Sequence, residues 1–202
     1  MIYLAYDTET TGLPVDGRST DFYDVNNWPR VYQLGAILFD EMGFELGRLS
    51  SYVKPDKWKI PEVDDFMKSM GAGPTFHEEQ GITTEFLMDV GRPMPEVLAE
   101  FNALANKCDE TVGHNVSFDF PILTCEMFRY RHFPNGWVQK PRHCTKLITE
   151  PILKIPGYRE GSYKWPTLQE AYTHFFGEPF DGAHDAMADV QATVDVFLSI
   201  QE

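Results

Sequence analysis

Apolar residues near the start of the chain fall into short runs that predict three β-strands. Residues 2–7 are the first run, and residues 31–40 are the second, which is rich in β-branched and apolar residues. A turn containing Gly43 follows the second run, so we predict a hairpin into a third strand at about 44–53. The polar residues 14–29 separate the first two strands and predict a surface insertion.

Further along the chain, apolar residues recur every three or four positions, which is the spacing of one helix face. Pro95 begins the first such helix, and its predicted inward face consists of Val97, Leu98, Phe101, Leu104 and Ala105. Residues 109–114 predict a fourth strand. Ser117 is then predicted to cap a helix to about residue 131, with an inward face of Phe118, Ile122, Cys125 and Phe128. Residues 55–94 predict irregular structure around a short helix.

Two more helices are predicted in the last quarter of the chain. Pro166 begins one and Gly177 ends it, and its apolar side consists of Leu168, Ala171, Tyr172 and Phe175. The last helix begins near Asp185 and turns inward Val190, Val194, Phe197 and Leu198. A meander of strands followed by alternating strands and helices indicates an α/β domain with a mixed sheet and helices on its faces.

Composition narrows the class of protein. A chain of 202 residues that is 43% hydrophobic fits one domain, which we place at residues 1–202. We see neither a run of about 18 apolar residues nor a signal peptide, and therefore expect a cytoplasmic protein with no membrane association. The three cysteines share no metal-ligand spacing, so reduced and buried thiols are expected at Cys108, Cys125 and Cys144.

The net charge of −14 is unusual for a protein that binds nucleic acid, but the charge is unevenly distributed. Residues 129–164 contain eight basic and only two acidic residues. Aromatic residues lie among these cations at Tyr130, Phe133, Trp137, Tyr158, Tyr163 and Trp165. Cations follow a phosphate backbone and aromatic rings stack on bases, so this basic segment is a candidate wall for the path of a single strand. The alternative is that the aromatic rings pack under loops.

Three groups of polar residues carry candidate chemistry. Asp7 and Glu9 lie two positions apart at the end of the first strand, so both carboxylates face the same side and repel each other unless a cation such as Mg²⁺ or Mn²⁺ neutralises them; two solvated acids at a strand end are the alternative. Asp119 lies in the first turn of a predicted helix, where a capping role is the alternative. His184 precedes the last helix and Asp189 lies one turn inside it, with Asp185 between them as a predicted N-cap.

In this order, the three groups resemble the motifs of the DEDDh (DnaQ-like) 3′→5′ exonucleases. The first motif is similar to Asp7-Thr8-Glu9. The second is similar to the segment from His114-Asn115 to Phe118-Asp119, and the third is similar to the segment from His184 to Asp189. Histidine lies five residues before the last aspartate, as in the histidine branch of the family. The resemblance covers residues 7–189 and implies a ribonuclease H-like fold with a mixed five-stranded central sheet flanked by helices.

The resemblance also implies roles for individual residues. Asp7, Glu9, Asp119 and Asp189 would hold two divalent ions, Mg²⁺ or Mn²⁺, and His184 would be the general base. Nucleoside 5′-monophosphates would be released from the 3′ end of single-stranded DNA, in proofreading or repair. The implied substrate-binding residues are Thr8, Thr10, Leu13, His114, Asn115 and Phe118. Leu13 would wedge beside the last base, and a DNA polymerase is a candidate partner.

Three alternatives remain open at this point. An exoribonuclease of the oligoribonuclease or ribonuclease T type would carry the same motifs, because they do not separate DNA from RNA. A non-catalytic module that binds nucleic acid or a polymerase could keep the fold. A structural divalent-ion protein could keep the acids without turnover, and His184 would then have no role.

Overall fold

A computed structural model describes residues 1–62, 70 and 75–201 of the chain. Its strands are β1 (Ile2–Thr10), β2 (Val31–Asp40), β3 (Glu45–Tyr52), β4 (Glu110–Gly113) and β5 (Arg142–Cys144). They form one sheet in the order β3-β2-β1-β4-β5. β1, β2 and β3 are antiparallel neighbours, whereas β4 pairs in parallel with both β1 and β5. The prediction of a mixed sheet is confirmed.

Helices cover both faces of this sheet. They are α1 (Phe76–Glu79), α2 (Thr84–Val90), α3 (Met94–Ala105), α4 (Val116–Tyr130), α5 (Thr145–Leu153), α6 (Leu168–Phe176) and α7 (Ala186–Gln201), with a turn of 3-10 helix at Trp137–Gln139. α3 and α4 pack on one face in a core that contains Leu4 and Tyr6 of β1. α7 packs on the other face, against Ala5.

The alternation of side chains along β1 decides which residues meet which helix. Even-numbered residues Leu4 and Tyr6 face α3 and α4, and odd-numbered Ala5 faces α7. Because successive side chains of a strand point to opposite faces, Asp7 and Glu9 continue the α7 side. Thr8 continues the α4 side and is buried. The carboxylates of β1 are therefore directed to the helix that carries Asp189.

Gly35 allows α7 to begin directly on the sheet. It pairs with Asp7 across the β1–β2 ladder. A Cβ atom at this position would lie 2.6 Å from the carbonyl oxygen of Ala186, the first residue of α7. Only a residue without a side chain permits so close an approach. The sheet and the start of α7 are thereby brought together beside Asp7.

An ion-pair cluster fixes residues 14–29 to α4. Glu126 of α4 is fully buried and accepts hydrogen bonds from Arg30 at 2.7 Å and from Arg129 at 2.9 Å. Arg129 also donates to the carbonyl oxygens of Val25 and Trp28, at 2.7 and 2.6 Å. The predicted insertion thus has a defined position over α4, since its backbone is held at several points.

Several sequence predictions about the helices need correction. Ser117 is not the N-cap, because Asn115 takes that place in a left-handed conformation (φ 75°) and α4 begins at Val116. Phe128 does not face inward and is 44% exposed, although Ile122 and Cys125 are buried as predicted. α6 begins at Leu168, after a capping box at Thr167, rather than at Pro166.

Other predictions are confirmed or lie partly outside the described residues. All three cysteines are buried and free, as expected. In the part of 55–94 that the structure describes, α1 and α2 replace the predicted single short helix; residues 63–69 and 71–74 lie outside it. No helix in the described part of the chain has the length and apolar character that crossing a membrane requires.

Candidate active site

Carboxylates from three elements meet at one edge of the sheet. Asp7 and Glu9 lie near the end of β1, and Asp119 and Asp189 lie in the first turns of α4 and α7. All four line a cavity of about 580 Å³ together with His184. The structure therefore brings together the five residues of the three sequence motifs.

Thr8 joins Asp119 to the sheet. The backbone N–H and the side-chain hydroxyl of Thr8 both donate to Oδ1 of Asp119, at 3.1 and 2.7 Å. The alternative that Asp119 merely caps its own helix is not supported, because these bonds run from β1 to α4. Thr8 thus holds the carboxylate of Asp119 in place, and both its backbone N–H and its hydroxyl hydrogen are used in doing so.

His184 lies in the loop before α7. Its backbone is left-handed (φ 71°), and its N–H donates to Oδ2 of Asp189 at 3.4 Å. A left-handed backbone is uncommon for a residue other than glycine and is often found at functional sites. The side chain is exposed, and its ring brings a nitrogen within 4.8 Å of carboxylate oxygens of both Glu9 and Asp189.

Gln33 holds this loop and the start of α7 against β2. Its amide donates to Oδ2 of Asp185 at 2.8 Å, and its Oε1 accepts the N–H of Ala186 at 3.4 Å. The other carboxylate oxygen of Asp185 accepts from the N–H groups of Met187 and Ala188, both at 3.1 Å. The prediction of Asp185 as the N-cap is confirmed. Since Gln33 also lies opposite Glu9 in the β-ladder, it links two parts of the site.

Withdrawal from water raises the pKa of four carboxyl groups in the cavity, those of Asp7, Glu9, Asp119 and Asp189, and repulsion between charged groups adds to the effect. The pKa of Glu9 rises to about 8, that of Asp119 to about 7 and that of Asp189 to about 6. The pKa of Asp7 rises well above its usual range, first through burial and then through the charges of Asp119 and Asp189. For Asp119, the two hydrogen bonds from Thr8 oppose the rise.

The donor set fits hard divalent cations. Such ions prefer carboxylate oxygens, and their charge would relieve the repulsion that raises these pKa values. Among the described residues, no donor reaches the buried Oδ1 of Asp189, so this oxygen has a lone pair to offer. Glu9, His184 and Asp189 also present ligand atoms within 4.8 Å of one another. The residues present are therefore those a metal centre requires.

Polar and aromatic residues complete the walls of the cavity. Both ring nitrogens of His114 are engaged, one with the hydroxyl of Thr145 at 2.9 Å and one with the carbonyl of Pro166 at 3.1 Å. Burial lowers the pKa of His114 to about 4, so the ring is neutral at pH 7. We therefore interpret His114 as a residue that positions the wall rather than one that contacts substrate.

The other predicted substrate residues are distributed around the cavity. Asn115 and Phe118 line it. The hydroxyl of Thr10 donates to the carbonyl of Gly12 at 2.8 Å and stabilises the turn after β1. Leu13 lines a neighbouring cavity and is 80% exposed, so it does not pack in the core.

Only part of the basic segment reaches the site. Lys146 lines the cavity, donates to Oδ1 of Asn115 at 3.1 Å and lies 4.6 Å from the ring centroid of Trp165. Arg129 is committed to Glu126, as described above. Trp137 is only 2% exposed and packs in the core, so it is unavailable to a base.

Tyr32 and Gln33 are site residues that sequence reasoning missed. The hydroxyl of Tyr32 donates to Oε2 of Glu9 at 3.4 Å. Both residues lie inside the apolar strand β2, where their polar groups gave no periodic signal. The strand pairing itself could have indicated them, because Gln33 is the partner of Glu9.

Comparisons with known proteins agree with this geometry. Residues 4–197 match the model of a family described as exonuclease. Exonuclease I of E. coli in complex with a dT13 oligonucleotide superposes with a TM-score of 0.69 at 21% identity, over 99% of this chain and 41% of that one. The nuclease domain of 3′hExo, a DEDDh family member bound to rAMP, gives a TM-score of 0.61 at 15% identity, over 99% of this chain and 91% of that one. No curated protein sequence matches the chain.

The similar structures share the ribonuclease H-like fold, which confirms the fold expected from the motifs. The chain spans about two fifths of the exonuclease I chain, since 41% of the latter is covered. The family model, in contrast, covers nearly all of this chain. The chain therefore belongs to this exonuclease family, of the DEDDh type that its motifs resemble.

Proposed function

We propose that this chain is a metal-dependent 3′→5′ exonuclease that releases nucleoside 5′-monophosphates from single-stranded DNA. One observation carries the proposal: Asp7, Glu9, Asp119 and Asp189 line a single cavity with His184. A non-catalytic binding module has no need for that convergence. A structural ion site would likewise give no role to an exposed histidine beside the carboxylates.

The four carboxylates would hold two divalent ions, Mg²⁺ or Mn²⁺, with Asp7 contributing to both. Bound ions of this kind supply Lewis-acid stabilisation of the charge that develops on the phosphodiester oxygens. Thr8 keeps Asp119 in position through its two hydrogen bonds. Tyr32 orients Glu9 through a bond to Oε2. Hydrogen bonds from neighbouring residues thus fix Asp119 and Glu9, which limits reorganisation during turnover.

His184 would accept the proton of the attacking water on a ring nitrogen. A histidine suits this role because its ordinary pKa of about 6.5 lies near neutral pH. Its closeness to Glu9 and Asp189 also permits ligation of a cation, and the two roles are separable by experiment. Lys146, which also lines the cavity, would contact a phosphate of the strand.

DNA is favoured as the substrate, with RNA as the second candidate. Two of the similar exonuclease I structures contain the oligonucleotides dT13 and dA16. Another similar structure contains rAMP, which favours the exoribonuclease alternative. A polymerase partner stays a prediction.

Digestion of 5′-labelled DNA and RNA oligonucleotides of the same sequence tests the proposal. We expect a ladder that shortens from the 3′ end in Mg²⁺ or Mn²⁺ and stops in EDTA, with DNA degraded faster than RNA. Asp7→Ala is the matched inactive control. Absence of cleavage of both polymers in either metal would contradict the proposed activity, and faster loss of RNA would replace DNA with RNA as substrate.

A further inference from the structure

The residues before α7 form a short strap that presents His184 to the catalytic cavity. We define the strap as residues 181–184, which lie between Phe180 and Asp185. All four residues of the strap are exposed, and residues 182–184 also line a small cavity of about 190 Å³. His184 lines both this small cavity and the catalytic cavity. Because the strap borders open space on two sides, packing contributes little to its position.

The backbone of the strap includes a strained residue. Gly182 and His184 both have positive φ angles, of 79° and 71°. Glycine adopts such angles freely, but histidine does so at a cost in free energy. The N–H of Asp185 donates to the carbonyl of Gly182 at 3.0 Å, which closes a tight turn around His184. A strained conformation of this kind persists where the surrounding structure fixes the ends of the segment.

One end of the strap is fixed on β2. Asp185 accepts a hydrogen bond from the amide of Gln33 at 2.8 Å, and it also caps α7. The strap therefore ends at a residue that two elements hold. Gln33 lies opposite Glu9 in the β-ladder, so a change at Gln33 would also disturb a carboxylate of the catalytic cavity.

The other end of the strap is fixed on α6, by the side chain of Gln169. Its amide donates to the carbonyl oxygen of Phe180 at 2.7 Å and accepts the N–H of Phe180 at 3.2 Å. The amide thus pairs with both backbone polar groups of one residue. The ring of Phe180 also packs edge-on against Tyr172 of α6, with the ring centroids 5.4 Å apart. The residue from which the strap starts is therefore attached to α6 through its backbone and its side chain.

Gln169 provides this attachment from outside the catalytic cavity. It is absent from the described residues that line that cavity, and it borders a separate cavity of about 400 Å³ together with Leu153 and His174. Gln169 is half-buried at the surface of α6. A change at Gln169 can therefore move the strap without altering the lining of the catalytic cavity directly.

We propose that Gln169 is a positioning residue for the reaction: it fixes Phe180, and through the strap it places the ring of His184 beside the carboxylates. This inference rests on the proposed function, in which His184 is the general base. Since Gln169 acts through His184, loss of its amide should slow the chemical step. The affinity for metal and for the substrate strand should stay the same, because the carboxylates keep their own hydrogen bonds.

Gln169→Met tests the proposal, because methionine keeps the length and the helix propensity of glutamine but removes both hydrogen bonds. Gln191→Met is the matched control. Gln191 lies on α7, and its amide bonds to Asp195 at 3.0 Å and to Arg48 at 3.2 Å, so the control also loses two hydrogen bonds.

The kinetic readout is the cleavage of a single-stranded DNA octamer in Mg²⁺. We expect kcat to fall about tenfold in Gln169→Met with KM unchanged, since a displacement of about 1 Å can cost about 100-fold and a smaller one costs less. Gln191→Met should keep the wild-type kcat. Wild-type kcat in Gln169→Met, or an equal fall in both variants, would overturn the proposal.

Combination with His184→Ala separates positioning from a general loss of structure. If Gln169 acts through the His184 ring, adding Gln169→Met to His184→Ala should change kcat by less than about twofold. A further tenfold fall in that background would show that Gln169 acts by another route, and the proposal would be wrong.

NMR signals of the histidine rings give a readout that does not depend on turnover. The chain contains six histidines, and the ring signal that disappears in His184→Ala belongs to His184. In the folded protein with EDTA, this signal should shift in Gln169→Met and stay in place in Gln191→Met. An unmoved signal in Gln169→Met would contradict the proposal even for an inactive protein. Absence of cleavage by the wild type would instead contradict the proposed function.

Discussion

Gly35→Ala tests whether the contact between the sheet and α7 sets the geometry of the catalytic cavity. The added Cβ would lie 2.6 Å from the carbonyl oxygen of Ala186 and 3.1 Å from the backbone nitrogen of Met187. Backbone atoms cannot rotate away as a side chain can. The start of α7, with Asp189 and the adjacent His184, must therefore move relative to Asp7.

The size of the movement follows from the distances. An ordinary contact begins at 3.4 Å, so relief of the 2.6 Å contact requires a shift of about 0.8 Å. A misplacement of about 1 Å can cost about 100-fold in rate. We expect kcat to fall by roughly 10- to 100-fold. Overpacking of this kind should also cost about 1–3 kcal/mol of stability, which leaves a folded protein of ordinary stability.

Gly47→Ala is the matched control on the same sheet. Its Cβ would approach the Cδ2 atom of Leu104 at 2.8 Å, the flexible end of a side chain that can rotate away. Gly47 pairs with Leu38, which pairs with Leu4, away from the acidic end of β1. Kinetics on an oligonucleotide and thermal melting should show kcat reduced in Gly35→Ala alone. Wild-type kcat in a destabilised Gly35→Ala protein would show that the contact between Gly35 and Ala186 does not set the geometry of the catalytic cavity.

Three further outcomes are expected. Asp7→Ala should abolish turnover. His184→Ala should slow turnover strongly but leave Mn²⁺ binding, measured by calorimetry, nearly intact. Loss of Mn²⁺ binding in His184→Ala would instead identify the histidine as a metal ligand rather than the general base. Reversing the charges of Arg142 and Lys146 together should raise KM more for oligonucleotides than for a small phosphodiester, and equal increases on both substrates would remove the basic segment from the strand path. The folded-state pKa of His114, about 4, lies below its ordinary value of 6.5, so its contribution to stability is present above pH 6.5 and is lost as the pH falls toward 4. In denaturation experiments with EDTA, the free energy of unfolding of the wild type should fall by about 3 kcal/mol more than that of His114→Gln between about pH 7 and about pH 4. Parallel pH profiles of the two proteins would show that the ring is not buried in its neutral form.

The sequence predicted those parts of the site that follow from periodicity. A period of two placed Asp7 and Glu9 on one face of β1, and that face is the one toward α7. The helical pattern placed Asp189 one turn into α7 and Asp185 at its cap. These relations are local, so they could be predicted from the order of residues alone.

Other features depend on tertiary structure. β5 has only three residues, Arg142–Cys144, and α5 contains Pro151, so neither gives a clear periodic pattern. Asn115 is the N-cap in a left-handed conformation, so α4 begins at Val116, before the predicted cap Ser117. This start depends on the path of the chain out of β4, which a local sequence pattern does not show. Leu13 and Leu147 line the same cavity, and no local pattern connects residues so far apart.

Titration of the metal-free protein with Mn²⁺ in a calorimeter tests whether the four carboxylates form one metal centre, since it measures the metal site without any assumption about substrate. We expect two bound ions per chain for the wild type. We also expect loss of this binding in Asp7→Ala, because Asp7 would contribute to both ions. An unchanged isotherm in Asp7→Ala, or no binding to the wild type at neutral pH, would contradict the claim that these carboxylates form one metal centre.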